Sequence, residues 1–536
     1  MRNKVSVAFL CVILIFAFLS TSVFARDDYK ERTTYKLNRG PKYMIPFERA
    51  NGAQVLDHKD DVSLALLGKM PTTSPGVQAG LTTYDYQHNG TMGRQIETFP
   101  GVSYVHFVWM AMSTYTFPGD RGIKYQCYNA DPAVMDYTQD AGGKWGTTDY
   151  SGYTSAAALP DGRAIFGCHA DYDGNDIYLS MAYTDAPGFP GWALFTGEVA
   201  RPDTGASWYV TDEEIIWPIM ARHNAGGNTT SDVLYMLSHV NEANEDMILY
   251  RKVGTANFDG GQKIETITDL SYTIVADPYS NNVYIVYTDD RVGMDEGDGG
   301  QDDLDVWYKK STDQGVTWGA AIDVSNYTGD SLWRAYDDLS AVISPDGNLH
   351  IIWPARQLND SNTYENAKCR LVHWSTDIPQ ARILSEARYT MEERCDPGAW
   401  NMYIAKPSIS WCDDRLYALW TQFGHARETG AKGDCSQAGF ANGELYLAVS
   451  NDNGFTWDLP ANLTQSRTPR CDSAECDSDH WSSMTSYGMV YDGAADTLDI
   501  QYVNDKDAGG LPQGEGSRCV NPIMHLRIPC RDIIPT

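Results

Sequence analysis

Short apolar runs separated by polar turns dominate the chain, and helical periodicity is scarce. Runs rich in Val, Ile, Tyr and Trp, such as LHIIW, LYALW and ELYLAV, alternate with turns rich in Gly, Asp, Asn and Pro. Runs of this length and composition, bounded by such turns, are typical of β-strands. The pattern therefore predicts an all-β fold built from many short strands.

The strands recur in a fixed order, which is clearest in the second half of the chain. A first strand (LSAVIS, PSISWC, YGMVYD) leads through a tight turn to a second (LHIIW, LYALW, LDIQYV), and a loop of variable length leads to a third (CRLVHW, ELYLAV, IMHLRI). Alignment on the ends of the third strands gives seven positions, near Cys127, Tyr183, Val253, Ser311, Ser375, Ser450 and Arg527. This repeat predicts a β-propeller of four-stranded antiparallel blades. The count favours seven blades, and six blades are the alternative. A strand near residues 81–87 would complete the last blade.

Two eight-residue segments that follow third strands are nearly identical. They are Ser311–Trp318 (STDQGVTW) and Ser450–Trp457 (SNDNGFTW). Ser and Asp side chains can bind backbone amides and close a turn, Gly permits left-handed backbone, and Trp covers the turn with apolar area. The shared positions are Ser311, Asp313, Gly315 and Trp318 in the first copy and Ser450, Asp452, Gly454 and Trp457 in the second. We call these segments the two repeated turns.

The pattern of the two repeated turns resembles the Asp-box, S-x-D-x-G-x-x-W, of the sialidase-like (BNR repeat) β-propellers. The resemblance implies a structural turn between third and fourth strands, away from the ligand face. A catalytic sialidase would also imply an Arg-Ile-Pro motif in the first blade, an arginine triad, an acid/base Asp and a Tyr nucleophile. The corresponding segment here, Gly93-Arg94-Gln95-Ile96-Glu97, lacks the proline and the order of that motif. The sequence therefore predicts the fold and leaves catalysis open.

The N-terminus has the pattern of a secretory signal peptide. Two basic residues precede an apolar run, and small or apolar residues precede Ala25. We therefore predict a secreted protein, extracellular or periplasmic, with a signal peptide at 1–25, an N-terminal extension at 26–75 and a single propeller domain at 76–536. Loss of residues 1–25 would change the formal net charge from −30 to −32, because Arg2 and Lys4 are lost. This charge argues against nucleic acid as a partner, and no later apolar run is long enough to enter a membrane.

Cysteine usage agrees with export. Ten of the 11 cysteines lie beyond the predicted signal peptide, and eight of these ten lie beyond residue 368. An even number in an exported chain indicates up to five disulfides, concentrated in the C-terminal half.

The long insertions are predicted mainly between second and third strands, on the face opposite the two repeated turns. Long loops on one face of a rigid scaffold are where function usually lies. Just after the predicted second strand, six blades carry a basic or potentially basic residue: His169, Arg222, Arg291, Arg356, Arg427 and Lys506. Such a ring could bind a carboxylate, sulfate or phosphate. Local salt bridges with the many neighbouring Asp residues are the alternative.

Two acidic loops have oxygen donors at alternating positions with glycine at the bends, as calcium sites do. The predicted ligands are Asp171, Asp173, Asn175 and Asp176 in the first loop and Asp295 and Asp298 in the second. Calcium is therefore the predicted cofactor, and a solvated acidic loop is the alternative.

These features together predict a binding or scaffold module that recognises an extracellular glycan, protein or cell-surface assembly through its loop-rich face. The 33 Tyr and 15 Trp residues offer stacking surfaces for sugars. Two alternatives stay open: a glycoside hydrolase (exo-sialidase-like) or lyase that uses groups on that face, and a subunit of an extracellular filament or envelope complex.

Overall fold

The structure is a computed structural model, and the predicted signal peptide and nearly all of the predicted N-terminal extension lie outside its described residues. The described residues are 72–112, 121–130, 134–135, 143–145, 151–172, 174–175, 177–223, 232–241, 245–267, 269–290, 304–327, 333–358, 364–388, 395–398, 401–424, 433–489 and 496–530. Residues 134–135, 143–145, 290, 358 and 364–367 are described by their backbone alone.

The described residues form strands and one short 3-10 helix, Leu511–Gln513. The strands are β1 (Val77–Thr82), β2 (Ile96–Thr98), β3 (Tyr104–Ala111), β4 (Gly122–Asn129), β5 (Val134–Met135), β6 (Gly143–Trp145), β7 (Ser151–Ala158), β8 (Ala164–Ala170), β9 (Leu179–Asp185), β10 (Phe195–Val199), β11 (Ile215–His223), β12 (Val233–Val240), β13 (Asp246–Val253), β14 (Gln262–Thr266), β15 (Tyr272–Ala276), β16 (Val283–Asp290), β17 (Leu304–Ser311), β18 (Ile322–Asp323), β19 (Trp333–Ala335), β20 (Ser340–Ile343), β21 (Leu349–Leu358), β22 (Tyr364–Ser375), β23 (Arg382–Arg388), β24 (Ile404–Cys412), β25 (Arg415–Phe423), β26 (Gly443–Ser450), β27 (Ala461–Asn462), β28 (Ser478–Met484), β29 (Thr497–Asp505) and β30 (Asn521–Pro529). Among the described residues, no helix is long and apolar enough to cross a membrane.

The strands form antiparallel units of four, and in units 1 to 6 neighbours in the sheet follow one another along the chain. Units 1 to 7 are β2-β3-β4-β5, β7-β8-β9-β10, β11-β12-β13-β14, β15-β16-β17-β18, β19-β21-β22-β23, β24-β25-β26-β27 and β28-β29-β30-β1. In addition, β6 pairs with β4, and β20 continues the interrupted first strand of unit 5. Units 2 and 3 belong to one larger sheet because Ile215 of β11 makes a parallel bridge to Leu179 of β9. The protein is therefore all-β with several antiparallel sheets.

The sequence-derived positions can be placed on these units. The seven predicted third-strand positions lie in β4, β9, β13, β17, β22, β26 and β30, each of which is the third strand of its unit. Unit 7 takes its fourth strand from the N-terminal side, where β1 pairs with β30. That strand is Val77–Thr82, whereas we predicted it near residues 81–87. The chain leaves β30 earlier because the hydroxyls of Thr82 and Thr83 bind the carbonyls of Met110 and Met112 at the end of β3.

The first strands of successive units contact one another in an order that closes on itself. The contacting pairs are β2 with β7, β7 with β11, β11 with β15, β15 with β20, β20 with β24, β24 with β28, and β28 with β2. In each unit the first strand begins, and the second ends, at the same edge, which we call the cluster edge. The first–second and third–fourth turns lie at the opposite edge, which we call the turn edge.

The hydrophobic core lies between consecutive units, and β25 shows why. Its side chains alternate, as in any strand. Leu416, Ala418 and Trp420 pack in the cluster shared with unit 5. Tyr417 and Leu419 pack in the cluster shared with unit 7. Because both faces of the sheet are covered, the strand reads as a continuous apolar run instead of an alternating one.

The segment before β2 lies where the first strands converge. A side chain on Gly93 would collide with Ser155, because its Cβ would lie 2.5 Å from the Ser155 Cβ. Arg94 donates hydrogen bonds to the carbonyls of Met484 (2.6 Å), Ala341 (3.0 Å) and Ile409 (2.7 Å). These three carbonyls belong to β28, β20 and β24, so one guanidinium ties together the first strands of units 7, 5 and 6.

The two repeated turns join third to fourth strands at the turn edge. In the first, the Ser311 hydroxyl donates to Asp313 (2.7 Å) and accepts the backbone N–H of Gly315 (2.8 Å). Asp313 also accepts the backbone and hydroxyl of Thr317, and these hydrogen bonds lower the pKa of Asp313 to about 2. The second turn repeats the arrangement with Ser450, Asp452, Gly454 and Thr456. Trp318 and Trp457 pack against the adjoining core clusters.

Three disulfides form among the ten cysteines, where the sequence indicated up to five. They join Cys395 to Cys435, Cys412 to Cys530, and Cys471 to Cys476. Cys127, Cys168, Cys369 and Cys519 are buried and belong to none of these three bridges. All three bridges lie in the C-terminal half, and the Cys412–Cys530 bridge ties unit 6 to the end of unit 7.

Candidate functional site

Five non-glycine residues at or near the cluster-edge ends of the first strands have a left-handed backbone. They are Tyr153 (φ 53°), Trp217 (φ 55°), Asp338 (φ 83°), Lys406 (φ 50°) and Trp481 (φ 55°). Four of them lie at register shifts between the first and second strands of units 2, 3, 6 and 7, and the fifth lies between β19 and β20. A bulge re-aims a side chain, and a bulky residue keeps such a backbone only where its surroundings impose it. The same distortion recurs in five units near the cluster edge.

The side chains of these five residues meet others that come from the β1–β2 connection, the start of β4 and the end of β8. We call this assembly the central cluster. Its members are Tyr84, Tyr86, His88, Arg121, Tyr153, His169, Trp217, Asp338, Lys406 and Trp481, all at most 6% exposed. Aromatic, cationic and imidazole groups therefore share one buried environment.

Arg121 and two tyrosines form the cationic part of the central cluster. The guanidinium carbon lies 5.0 Å from the ring centroid of Tyr153 and 5.6 Å from that of Tyr84. Arg121 donates to the carbonyl of Ser151 (3.2 Å) and to the hydroxyl of Tyr84 (3.4 Å). A Cβ at position 152 would lie 2.8 Å from the Arg121 Nη2, so Gly152 leaves the space that the guanidinium occupies.

His88 has a defined tautomer. Its Nδ1 lies 2.7 Å from the carbonyl oxygen of Asn89, which can only accept, so Nδ1 carries the proton and Nε2 the lone pair. Among the described residues, Nε2 has no hydrogen-bond partner. Burial lowers the pKa of His88 to about 3, and the charge of Lys406 also lowers it. At neutral pH the imidazole is therefore an uncharged base with a free lone pair.

Tyr153 lies between the two histidines of the cluster. Its ring centroid is 5.6 Å from that of His88 and 5.2 Å from that of His169. Burial raises the pKa of Tyr153, and this outweighs the opposing effect of Arg121, so the phenol stays protonated at neutral pH. His169 Nδ1 accepts the backbone N–H of Trp217 (3.3 Å), and burial holds the pKa of His169 well below its usual value.

The opposite side of the cluster contains an ion pair. Lys406 Nζ lies 2.8 Å from Asp338 Oδ1 and 4.7 Å from the ring centroid of Trp481. The Trp481 ring contacts Tyr86 edge-on, with centroids 5.0 Å apart. Beside this pair, burial and the charges of Asp269 and Asp338 raise the pKa of Asp337 well above its usual value. A buried carboxyl group with a raised pKa thus adjoins the cluster.

The structure places four of the six predicted basic residues, and it does not bring them to one centre. His169 belongs to the central cluster, whereas Lys506 is engaged by Asp477. Arg356 lies over the ring of Tyr336, 4.5 Å from its centroid. Arg291 and Arg427 lie outside the described residues.

The predicted position of Arg222 is wrong. We expected it after a second strand, but it lies in β11, the first strand of unit 3, and near the turn edge. There it pairs with Asp232 (3.2 Å) and lies over Phe99, 4.4 Å from the ring centroid. The error arises because β11 and β12 are both continuous apolar runs, so local pattern does not reveal which of them comes first.

The predicted calcium ligands are only partly described. Asp171 Oδ1 accepts the backbone N–H groups of Gly174 (2.8 Å) and Asn175 (3.2 Å), which closes the loop as a turn. The Asn175 side chain accepts the N–H of Ile177. Asp173, Asp176, Asp295 and Asp298 lie outside the described residues, and no group of three or more potential ligands gathers elsewhere in the described part of the chain. Calcium binding stays a prediction.

Of the central cluster, the sequence-based candidates included only His169. Two signals could have pointed to the rest. Trp217 and Lys406 each precede a proline within an otherwise apolar strand, and proline inside a strand indicates a bulge. The stretch Tyr84–Gly90 (YDYQHNG) is also rich in aromatic and polar groups just before a first strand.

No protein-family model matches the chain, and no curated protein sequence matches it. Solved structures do resemble it at low identity. An ulvan lyase of polysaccharide lyase family PL25 has 10% identity and a TM-score of 0.45 over 84% of this chain and 96% of its own. An α-L-arabinanase from Penicillium chrysogenum has 13% identity and a TM-score of 0.40 over 69% and 92%. An α-L-arabinofuranosidase from Fusarium graminearum has 9% identity and a TM-score of 0.38 over 70% and 92%. These values are too low to carry an argument about function.

Proposed function

We propose that units 1 to 7 are the blades of one β-propeller and that its central cluster is the active site of a lyase acting on a uronate-containing polysaccharide. The closed order of first-strand contacts supports seven blades. The proximity of the Tyr153 ring to that of His88 (5.6 Å between centroids) and to the Arg121 guanidinium (5.0 Å) is the observation that carries the activity. The lowered pKa of His88 leaves it an unprotonated base at neutral pH, and the raised pKa of Tyr153 leaves it a protonated acid.

Arg121 would bind the carboxylate of the uronate. A guanidinium pairs with a carboxylate in a bidentate manner and neutralises its charge. Neutralisation makes the proton on the carbon next to the carboxylate (C5) more acidic, because the carbanion character that develops there is stabilised. Burial of Arg121 strengthens this interaction, since no water competes for the guanidinium.

His88 and Tyr153 would then carry the two proton transfers. His88 Nε2 removes the C5 proton, and the electron pair of that bond forms the C4=C5 double bond. The C4–O4 bond breaks, and the phenol of Tyr153 gives its proton to the departing O4. The hydrogen bond from His88 Nδ1 to Asn89 holds the imidazole in the tautomer that this requires.

A glycoside hydrolase is the second candidate, and Asp337 supports it. A buried carboxyl group whose pKa is raised by Asp269 and Asp338 can act as a general acid toward a glycosidic oxygen. Binding of a glycan without turnover, as a module or scaffold, is the third interpretation of the same cluster of aromatic and charged groups. These activities give different products, so one assay separates them.

The test is incubation of the purified full chain with polygalacturonate, alginate, a glucuronan and neutral xylan. Elimination creates a double bond conjugated with a carboxylate, which absorbs ultraviolet light, and also a new reducing end. Hydrolysis creates reducing ends without the absorbance, and binding alone creates neither. Absence of the absorbance with every uronate polymer would refute the proposal.

Variants locate the activity in the central cluster. Tyr153→Phe and His88→Ala should each lower kcat about 10²–10⁴-fold, the usual contribution of one acid or base. Tyr235→Phe is the matched control, since Tyr235 is a buried tyrosine of β12 outside the cluster. Because the pKa of His88 is lowered and that of Tyr153 raised, kcat/KM should stay flat between the ordinary pKa values of the two groups, about 6.5 and 10. Loss of activity near pH 6.5 in a still-folded protein would contradict the assignment of His88.

A further inference from the structure

The turn between β9 and β10 exposes apolar side chains on a rigid support. Phe189, Trp192 and Leu194 are 45%, 66% and 48% exposed. The rings of Phe189 and Trp192 contact each other with centroids 5.6 Å apart and planes at 63°. The turn lies at the turn edge of unit 2, the opposite edge from the central cluster.

One buried carboxylate organises this turn. Asp185 accepts the backbone N–H groups of Ala186 (3.0 Å), Gly191 (2.9 Å) and Leu194 (3.2 Å). Ala193, between Trp192 and Leu194, has a left-handed backbone (φ 56°), which is strained for a residue with a side chain. A connection that only had to reverse the chain would need neither this strain nor an exposed tryptophan.

The exposed apolar area fits a sugar ring better than a protein. Even at about 250 Å² for each complete side chain, the exposed fractions of Phe189, Trp192 and Leu194 sum to about 400 Å². A standard protein interface buries about 800 Å² on each partner, twice that area. One or two pyranose rings present an apolar C–H face of suitable size to an indole.

Polar groups lie at the start of the same turn. Arg163 pairs with Asp161 (2.7 Å) and donates to the carbonyl of Asp185 (3.2 Å), and the Asp161 side chain is 39% exposed. A carboxylate and a guanidinium beside an aromatic face are the groups that fix the orientation of a stacked sugar.

We propose that the turn Asp185–Leu194 is a second carbohydrate-binding site, at which Trp192 and Phe189 stack against pyranose rings of a polysaccharide chain. The site does not depend on the chemistry of the central cluster. A polymer held at the turn edge stays near the protein, which raises its effective concentration at any other site.

The test is native affinity electrophoresis of the full chain through gels that contain xylan, laminarin, polygalacturonate or alginate. The Phe189→Ala/Trp192→Ala variant should bind the retarding polysaccharide about tenfold more weakly, as expected when stacking worth about 1.4 kcal/mol in total is lost. Phe455→Ala is the matched control, because Phe455 is a 55% exposed aromatic residue of the second repeated turn. Both variants change exposed side chains, so their melting temperatures should equal that of the wild type.

A second variant separates this proposal from the lyase proposal. In gels of the neutral polymers xylan and laminarin, Arg121→Ala should be retarded like the wild type, because Arg121 is proposed to bind only the uronate carboxylate. The second site is refuted if no polysaccharide retards the wild type, or if the double variant is retarded equally. It is also refuted if the double variant only changes the sedimentation coefficient, because the turn would then be a contact between copies of the chain.

Discussion

Arg94 offers the sharpest test of how the units are held together. Its guanidinium binds one backbone carbonyl in each of β20, β24 and β28, at 2.6–3.0 Å. Its side chain is 15% exposed, and Glu97 lies 4.0 Å from its Nε. Arg94→Met keeps most of the side-chain volume and removes every donor. Three carbonyls from different units would then lose their partner at once.

The expected loss of stability follows from these contacts. Three hydrogen bonds from a charged donor, at about 1.5–3 kcal/mol each, set an upper bound of about 4.5–9 kcal/mol. Part of this lost stabilisation is offset, because folding of the variant no longer removes a guanidinium from water. We therefore expect Arg94→Met to lower the free energy of unfolding by about 3–5 kcal/mol, in the range found when one member of a buried charged network is removed.

Equilibrium unfolding in urea, followed by tryptophan fluorescence, measures this loss. Arg201→Met is the matched control, because Arg201 is an exposed arginine that binds the hydroxyl of Tyr172, and its loss should change stability by less than about 1 kcal/mol. The loss of stability in Arg94→Lys should lie between those of Arg94→Met and Arg201→Met, since an ammonium cannot span three acceptors as a guanidinium does. If Arg94→Met unfolds within about 1 kcal/mol of the wild type, the guanidinium does not tie the three units together.

Two further predictions concern stability. The Cys412–Cys530 bridge closes a loop of 118 residues, so removing it should lower the free energy of unfolding by about 5 kcal/mol through chain entropy. Because the entropy of unfolding is about 1 kcal/mol/K for a chain of this length, Tm should fall by about 5 °C. Removing Cys471–Cys476, which closes 5 residues, should cost about 2 kcal/mol, and calorimetry showing equal losses would contradict the loop-entropy account. Asp338→Asn should destabilise by about 3–5 kcal/mol because it leaves Lys406 buried without its partner, and adding Lys406→Met should recover most of that loss. Additive effects of these two substitutions in urea unfolding would show that the pair is not coupled.

The distribution of strain supports the choice of the central cluster as the functional site. Left-handed backbone at Tyr153, Trp217, Lys406 and Trp481 recurs at the same place in four units, where the first strand is shifted against the second. Strain that repeats at one edge and aims aromatic and charged groups at one centre is typical of sites that bind a ligand. In the two repeated turns, by contrast, the Ser and Asp side chains bind backbone groups of the same turn.

The sequence by itself determined the strand content and the local turns. Apolar runs such as LYALW become strands buried on both faces, because consecutive units cover them. The two repeated turns follow from contacts among residues two to four positions apart, such as Ser311 with Gly315, so eight residues contain all the information they need. Local pattern was sufficient wherever the partners are close in the chain.

Only the tertiary structure decided which chemistry meets at the centre. Arg94 binds carbonyls 247 to 390 positions away, and Lys406 pairs with Asp338 across 68 positions. Arg222 lies at the turn edge instead of the cluster edge because the place of β11 as a first strand is set by its neighbours in other units. Which side chains converge depends on the closed order of the first strands and on bulges that re-aim residues, and neither is encoded in any short stretch of the chain.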